Sequence, residues 1–102
     1  MTHVKYHSCD VRGNGIIHGG TRFKIETMSA EKIRIEPDSP LKLNSRVALD
    51  LTLDGVLYEV KISCRGVVSS IRDNICDIRL KGLTKKDKSE IEDIMRSSCD
   101  LE

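Results

Sequence analysis

Tryptophan is absent from the 102 residues, and only Tyr6, Phe23 and Tyr58 are aromatic. Base-stacking platforms for single-stranded nucleic acid are therefore scarce, and a core has to be built from Ile, Val and Leu. Unbroken apolar stretches reach three residues at most, against the roughly 20 that a membrane-crossing helix needs. No signal-like segment opens the sequence, so a cytoplasmic protein without membrane insertion is expected. A surplus of one charge is lacking as well: 17 Lys and Arg face 16 Asp and Glu, a net charge of +1. No broad field then drives generic attachment to nucleic acid or anionic lipid. The four cysteines, Cys9, Cys64, Cys76 and Cys99, contain no C-x-x-C pair and read as reduced thiols. With 38% hydrophobic and 32% charged residues, the chain suits one small globular domain, since single cores run to about 100–150 residues.

What the sequence does have is alternation. Phe23, Ile25 and Thr27 alternate with Arg22, Lys24 and Glu26, and Ile33 and Ile35 alternate with Lys32, Arg34 and Glu36. Period two marks half-buried strands, joined here by the short Met28-Ser29-Ala30-Glu31 connection. Pro37 and Pro40 then open a loop to about Ser45. Val47, Leu49, Leu51 and Leu53 form a third strand, and Asp54-Gly55 suggests a two-residue hairpin turn. The partner strand begins with Val56, Tyr58, Val60, Ile62 and Cys64, and Gly66 within it suggests a bulge or bend. After a turn at Arg72-Asp73-Asn74, Cys76, Ile78 and Leu80 complete five strands. Thr84 with Asp87 resembles a capping box, and Ile91, Ile94 and Met95 recur at helical spacing, which predicts one helix over 85–98. Residues 1–19 are expected as a flexible N-terminal arm, 20–98 as the folded domain, and 99–102 as a tail whose Leu101-Glu102 is a cloning remnant.

Several familiar chemistries do not fit. The glycine-rich run from Gly13 to Gly20 lacks the following helix that a phosphate loop needs. His3, His7 and Cys9 are suitable zinc ligands, but their stretch is not helical, so no metal site is expected. All three histidines precede residue 19 and no G-x-S-x-G occurs, which leaves no nucleophile–base pair. Asp50, Asp54, Glu59 and Asp77 fall on the solvent phase of their strands, away from a shared acid–base pocket. No enzyme and no cofactor are expected. Lys85, Lys86 and Lys88, at the helix start, could meet an anion.

The strand order, the bend at Arg65-Gly66-Val67-Val68, the closing strand Asp77-Ile78-Arg79-Leu80 and the single terminal helix together resemble a PilZ domain over residues 20–97. The stretch from Ile25 to Ile35 sits where that family carries D/N-x-S-x-x-G. The resemblance implies a mainly β fold, a small antiparallel split β-barrel with one C-terminal α-helix. It also implies a signalling module that binds the bacterial second messenger cyclic di-GMP and acts by docking to a partner protein. In that family an R-x-x-x-R arm and the D/N-x-S-x-x-G turn grip the ligand, with Arg on phosphate and guanine, Asp or Asn on guanine N–H, and Gly allowing close approach.

Mapped onto this chain, the tentative ligand-binding residues are Arg12, Thr27, Ser29 and Lys32. Ser29 matches the serine, Thr27 replaces the acidic or amide residue, and Lys32 replaces the glycine. Arg12 stands in the arm, but Ile16 lies four residues on, and Lys5 is followed at that spacing by Cys9. The alternative expectation is an unrelated small β-barrel that binds nucleic acid through Arg22, Arg34, Arg46, Arg72 and Arg79. The near-zero net charge and the few aromatics weigh against it.

Overall fold

The computed structural model describes residues 11–55 and 58–98. Six strands, β1 (Gly13–Ile17), β2 (Thr21–Met28), β3 (Lys32–Pro37), β4 (Arg46–Asp54), β5 (Glu59–Arg72) and β6 (Ile75–Lys81), precede one helix, α1 (Lys85–Ser98). The strands close into an antiparallel barrel in the order β1-β2-β3-β6-β5-β4. The alternating phase noted above turns Phe23, Ile25, Ile33, Ile35, Leu49, Leu51, Leu53, Val60, Ile62, Ile78 and Leu80 inward, and all are buried in one core. Cys64 and Cys76 belong to this core as free thiols. Burial pushes the Cys64 thiol up to about 11, with the fields of Asp87 and Asp50 adding to it. Cys9 and Cys99 lie outside the described residues.

The sixth strand falls in the segment expected as an arm. Gly13–Ile17 pairs with β2 on one side, Gly15 opposite Phe23, and with β4 on the other, Gly15 opposite Leu51. Residues 13–19 are thus part of the barrel and its first hairpin, which corrects the arm assignment for that stretch. The reason is steric. A Cβ on Gly15 would stand 2.4 Å from Cζ of Phe23 and 2.5 Å from the Asp50 carbonyl oxygen, and one on Gly13 would stand 2.5 Å from the Thr52 oxygen. These inward positions have to be empty, so they carry no apolar signal. The hairpin then turns through Gly19 and Gly20 at φ of 115° and 111°, values that favour glycine.

Two other expectations shift in place. The β4–β5 hairpin forms, but Asp54 pairs with Glu59 and the Gly55 N–H donates to the Tyr58 carbonyl at 2.8 Å, so Asp54 still belongs to the ladder and the connection covers 55–58. In β5 the ladder irregularity falls between Val68 and Ser70, not at Gly66. Gly66 instead lies where β5 pairs with β4 and β6 at once, opposite Val47 and Leu80. A Cβ there would meet Cγ2 of Ile78 at 2.4 Å.

The capping box closes as expected: the Asp87 N–H donates to Thr84 Oγ1 at 3.0 Å, and the Thr84 N–H donates to Asp87 Oδ2 at 3.1 Å. Ile91, Ile94 and Met95 join the barrel core. A Cβ on Gly55 would lie 3.8 Å from Ile94, which places the helix at the end of the barrel where β4 finishes. No helix among the described residues is long and apolar enough to cross a membrane.

Gly15→Ala should lower stability by about 1–3 kcal/mol through overpacking, seen as a Tm drop of about 5–20 °C in a thermal melt. Adding Phe23→Leu should recover only part of the loss, because the Asp50 carbonyl still blocks the new methyl. Full recovery would contradict the backbone clash.

Candidate functional site

The turn between β2 and β3 is folded by Ser29. Its N–H donates to the Lys32 carbonyl at 2.8 Å, and its Oγ accepts from the N–H groups of Glu31 and Lys32 at 3.2 and 3.1 Å while donating to the Lys32 carbonyl at 3.3 Å. A serine hydroxyl that bonds the backbone two and three residues on makes a local turn. The Leu80 N–H donates to the Glu31 carbonyl at 2.8 Å, which fastens the turn to the end of β6.

Beside that turn lies an open cleft of about 590 Å³ lined by Ser29, Lys32, Arg79, Lys81, Gly82 and Lys88, with Glu31 as its one acidic residue among the described residues. The volume is in the usual range for a small-molecule site, about 300–1,000 Å³. Lys32 and Arg79 meet because they are direct ladder partners. Lys88 comes from the first turns of α1 after the chain bends through Gly82 at φ 74°. Four cationic side chains against a single carboxylate suit an anion, and the Arg79 guanidinium suits a phosphate or the acceptor edge of a guanine.

Of the residues singled out from the sequence, Ser29 and Lys32 line this cleft. Thr27 sits one strand position before Met28, opposite Arg34, and does not line the cleft. Arg12 stands just before β1, where its carbonyl accepts from the Asp54 N–H at 2.8 Å, and it is likewise outside the lining. Lys5, Cys9, His3 and His7 lie outside the described residues. Lys81 is not among the site residues expected from the sequence, and Arg79 figures there only among the arginines of the nucleic-acid alternative. Only the β3–β6 register brings them to the turn, and nothing local in the sequence reports that register. Of the three lysines noted at the helix start, Lys88 alone lines the cleft.

Two carboxylates on the outer surface are held by specific partners. Asp77, expected to be solvated, is 9% exposed, because Arg34 on the neighbouring strand folds over it with Nε donating at 2.8 Å and Nη2 at 3.4 Å. The Arg34 hydrogen bond holds the Asp77 carboxyl below the usual aspartate range, and the same bond raises Arg34. Asp50 accepts from Ser63 Oγ at 2.7 Å and lies 3.0 Å from His18 Nε2. Its carboxyl is lowered chiefly by the Ser63 bond and next by His18. Serine, aspartate and histidine meet here in the wrong order for acyl transfer, since the serine donates to the carboxylate and not to the imidazole that would activate it. Among the described residues no cluster of three or more His, Cys, Asp or Glu could hold a metal ion.

Comparison with models of known protein families and with curated proteins yields no match to this chain.

The lowered Asp77 carboxyl ties stability to pH. Its contribution is complete above the ordinary aspartate value of about 3.9 and is lost as pH falls through the lowered folded-state value. Urea denaturation should therefore show Asp77→Asn less stable than the native protein at pH 6, with the gap closing in acid. A gap that stays constant would mean that the ion pair carries no stabilisation.

Proposed function

We propose that this chain is a PilZ-like signalling module that takes cyclic di-GMP at the cleft beside the Ser29 turn and acts by docking to a partner protein. One observation carries the reading: the turn that corresponds to the family's serine motif is tied to β6 and gathers Lys32, Arg79, Lys81 and Lys88 around one cleft. The closed antiparallel barrel with a terminal helix agrees with it. A cyclic dinucleotide carries two phosphates and two guanine edges, which match ammonium groups and an arginine fork.

Ser29 serves this site through its backbone bonds, which keep the turn tight and aim Lys32 at Arg79. Lys32 brings a charge where the family has a bare backbone, so a ligand meets an ammonium group in place of a close approach to the chain. Thr27 supplies no carboxylate for guanine N–H groups. Each absent anchor removes about 1–3 kcal/mol, and the affinity is correspondingly below that of a complete motif.

The test is a two-dimensional amide NMR titration with cyclic di-GMP at moderate salt, with cyclic di-AMP for comparison. Saturable shifts are expected on residues 29–32 and 79–88 with a preference for the guanine ligand, and Arg79→Ala and Lys88→Ala should each weaken binding by about tenfold. A flat spectrum would remove the nucleotide from the reading. Equal binding of any single-stranded oligonucleotide, falling steeply with salt, would favour a nucleic-acid barrel instead.

A further inference from the structure

Barrel closure assembles a second basic feature on the outer wall. Lys32 pairs with Arg79, Arg79 with Val67, and Val67 with Arg46, a continuous row across β3, β6, β5 and β4. In the adjoining row Ala48 pairs with Arg65 and Arg65 with Lys81. All seven residues are on the outward phase, the five cations are exposed, and Val67 and Ala48 are half-buried between them. Among the described residues none of these five cations takes part in an ion pair. A shallow cleft of about 520 Å³ runs along the band, lined by Arg46, Ala48, Arg65, Val67 and Lys81.

The geometry points to this band as the docking surface for an acidic, extended segment of a partner protein. Strands lie about 4.8 Å apart, and alternate residues along a strand are about 6.7 Å apart, so the row spans about 14 Å. An extended peptide aligned with the strands presents its alternate side chains at the same repeat of about 6.7 Å, and neighbouring strands bring further cations within about 4.8 Å on either side, which lets two or three carboxylates meet the cations while an apolar residue covers Val67 and Ala48. The band is also bounded. Asp77, held by Arg34, closes one side, and Asp50, held by Ser63 and His18, closes the other. A short acidic stretch fits within those limits, whereas a polyphosphate strand would run on past them over carboxylates. No aromatic residue stands in either row to stack a base. Charge complementarity of this kind governs encounter rate and register more than area does.

The inference deepens the partner-docking part of the proposed function and rests on it, but it does not require the nucleotide. Lys32, Arg79 and Lys81 belong to both the band and the cleft beside the Ser29 turn. A phosphate ligand in the cleft would neutralise cations that the acidic segment uses, so the two anions oppose each other through shared charges.

The experiment is done without nucleotide, on the full chain, with a short synthetic peptide rich in glutamate and valine. An oligothymidylate of equal charge serves as the competing probe. Arg46 and Arg65 do not line the mouth cleft, so Arg46→Glu with Arg65→Glu tests the band alone. This pair should weaken peptide binding by about tenfold or more, while Arg22→Glu with Lys24→Glu, the same charge change on β2, should alter it less than about twofold. Arg46→Gln with Arg65→Gln should give an intermediate loss and keeps the test valid if charge reversal disturbs the amide spectrum. Equal loss from both reversals, tighter binding of the oligothymidylate, or no peptide binding at about 50 mM salt would each overturn the assignment. Because the peptide arm omits cyclic di-GMP and its substitutions at Arg46 and Arg65 leave the cleft residues unchanged, failure here and failure of the nucleotide titration are separate results.

Discussion

Closure of the barrel depends on a strand with almost nothing in it. Among the described residues β1 alone joins β2 to β4, and it does so by lying flat against both ladders at Gly13 and Gly15. In a barrel this narrow the interior volume is shared among facing positions. The Phe23 ring fills the space that Gly15 vacates, and the carbonyl oxygens of Asp50 and Thr52 approach where Cβ atoms would stand. Gly66 plays the same part under Ile78. The wall is therefore continuous, and its hydrophobic interior is filled by Leu, Ile and Val in contact with the three apolar residues of α1.

A filled interior leaves binding to the outside and the mouth. Strict alternation sends every second residue outward, and in this chain those residues are mostly charged. Net charge is nearly zero over the whole molecule, yet the antiparallel registers sort it locally. Lys32 and Arg79 are far apart in sequence and adjacent in the sheet, and Arg46 and Arg65 reach the same wall from β4 and β5. Asp77 and Asp50, which flank this wall, are engaged by Arg34 and by Ser63 with His18. Cations are thus left available along the wall while the two acids that flank it are occupied, a separation that composition conceals.

At the β2–β3 turn, conformation and charge are divided between residues. Ser29 spends its hydroxyl on backbone groups of Glu31 and Lys32, so it shapes the site and does not offer a free donor. Lys32, Arg79, Lys81 and Lys88 provide the charge. Arg12 shares neither the cleft nor the wall band. A site organised in this way depends on the fastening of the turn to Leu80 as much as on any single cation.

Local pattern in the sequence was enough to determine β2 to β6, the helix and its cap, because their inward residues are apolar at period two or near 3.6 and Thr84 and Asp87 stand in reach of each other. That pattern also marked the short connection at Met28-Ser29-Ala30-Glu31, whereas Ser29 and Lys32 as site residues came only from the resemblance to a family motif. Local pattern passed over β1, whose inward positions are glycines and so give no apolar rhythm, and it placed Asp77 in solvent, since phase along one strand says nothing of a guanidinium arriving from the next. The hairpin neighbours β2–β3 and β4–β5 were legible in their short connections, but the non-sequential pairings β1–β4 and β3–β6, and every register, were decided by the tertiary structure alone. Closing the barrel is a cooperative packing of all six strands at once, and the meeting of Lys32 with Arg79, or of Arg65 with Lys81, exists only after that packing has been achieved.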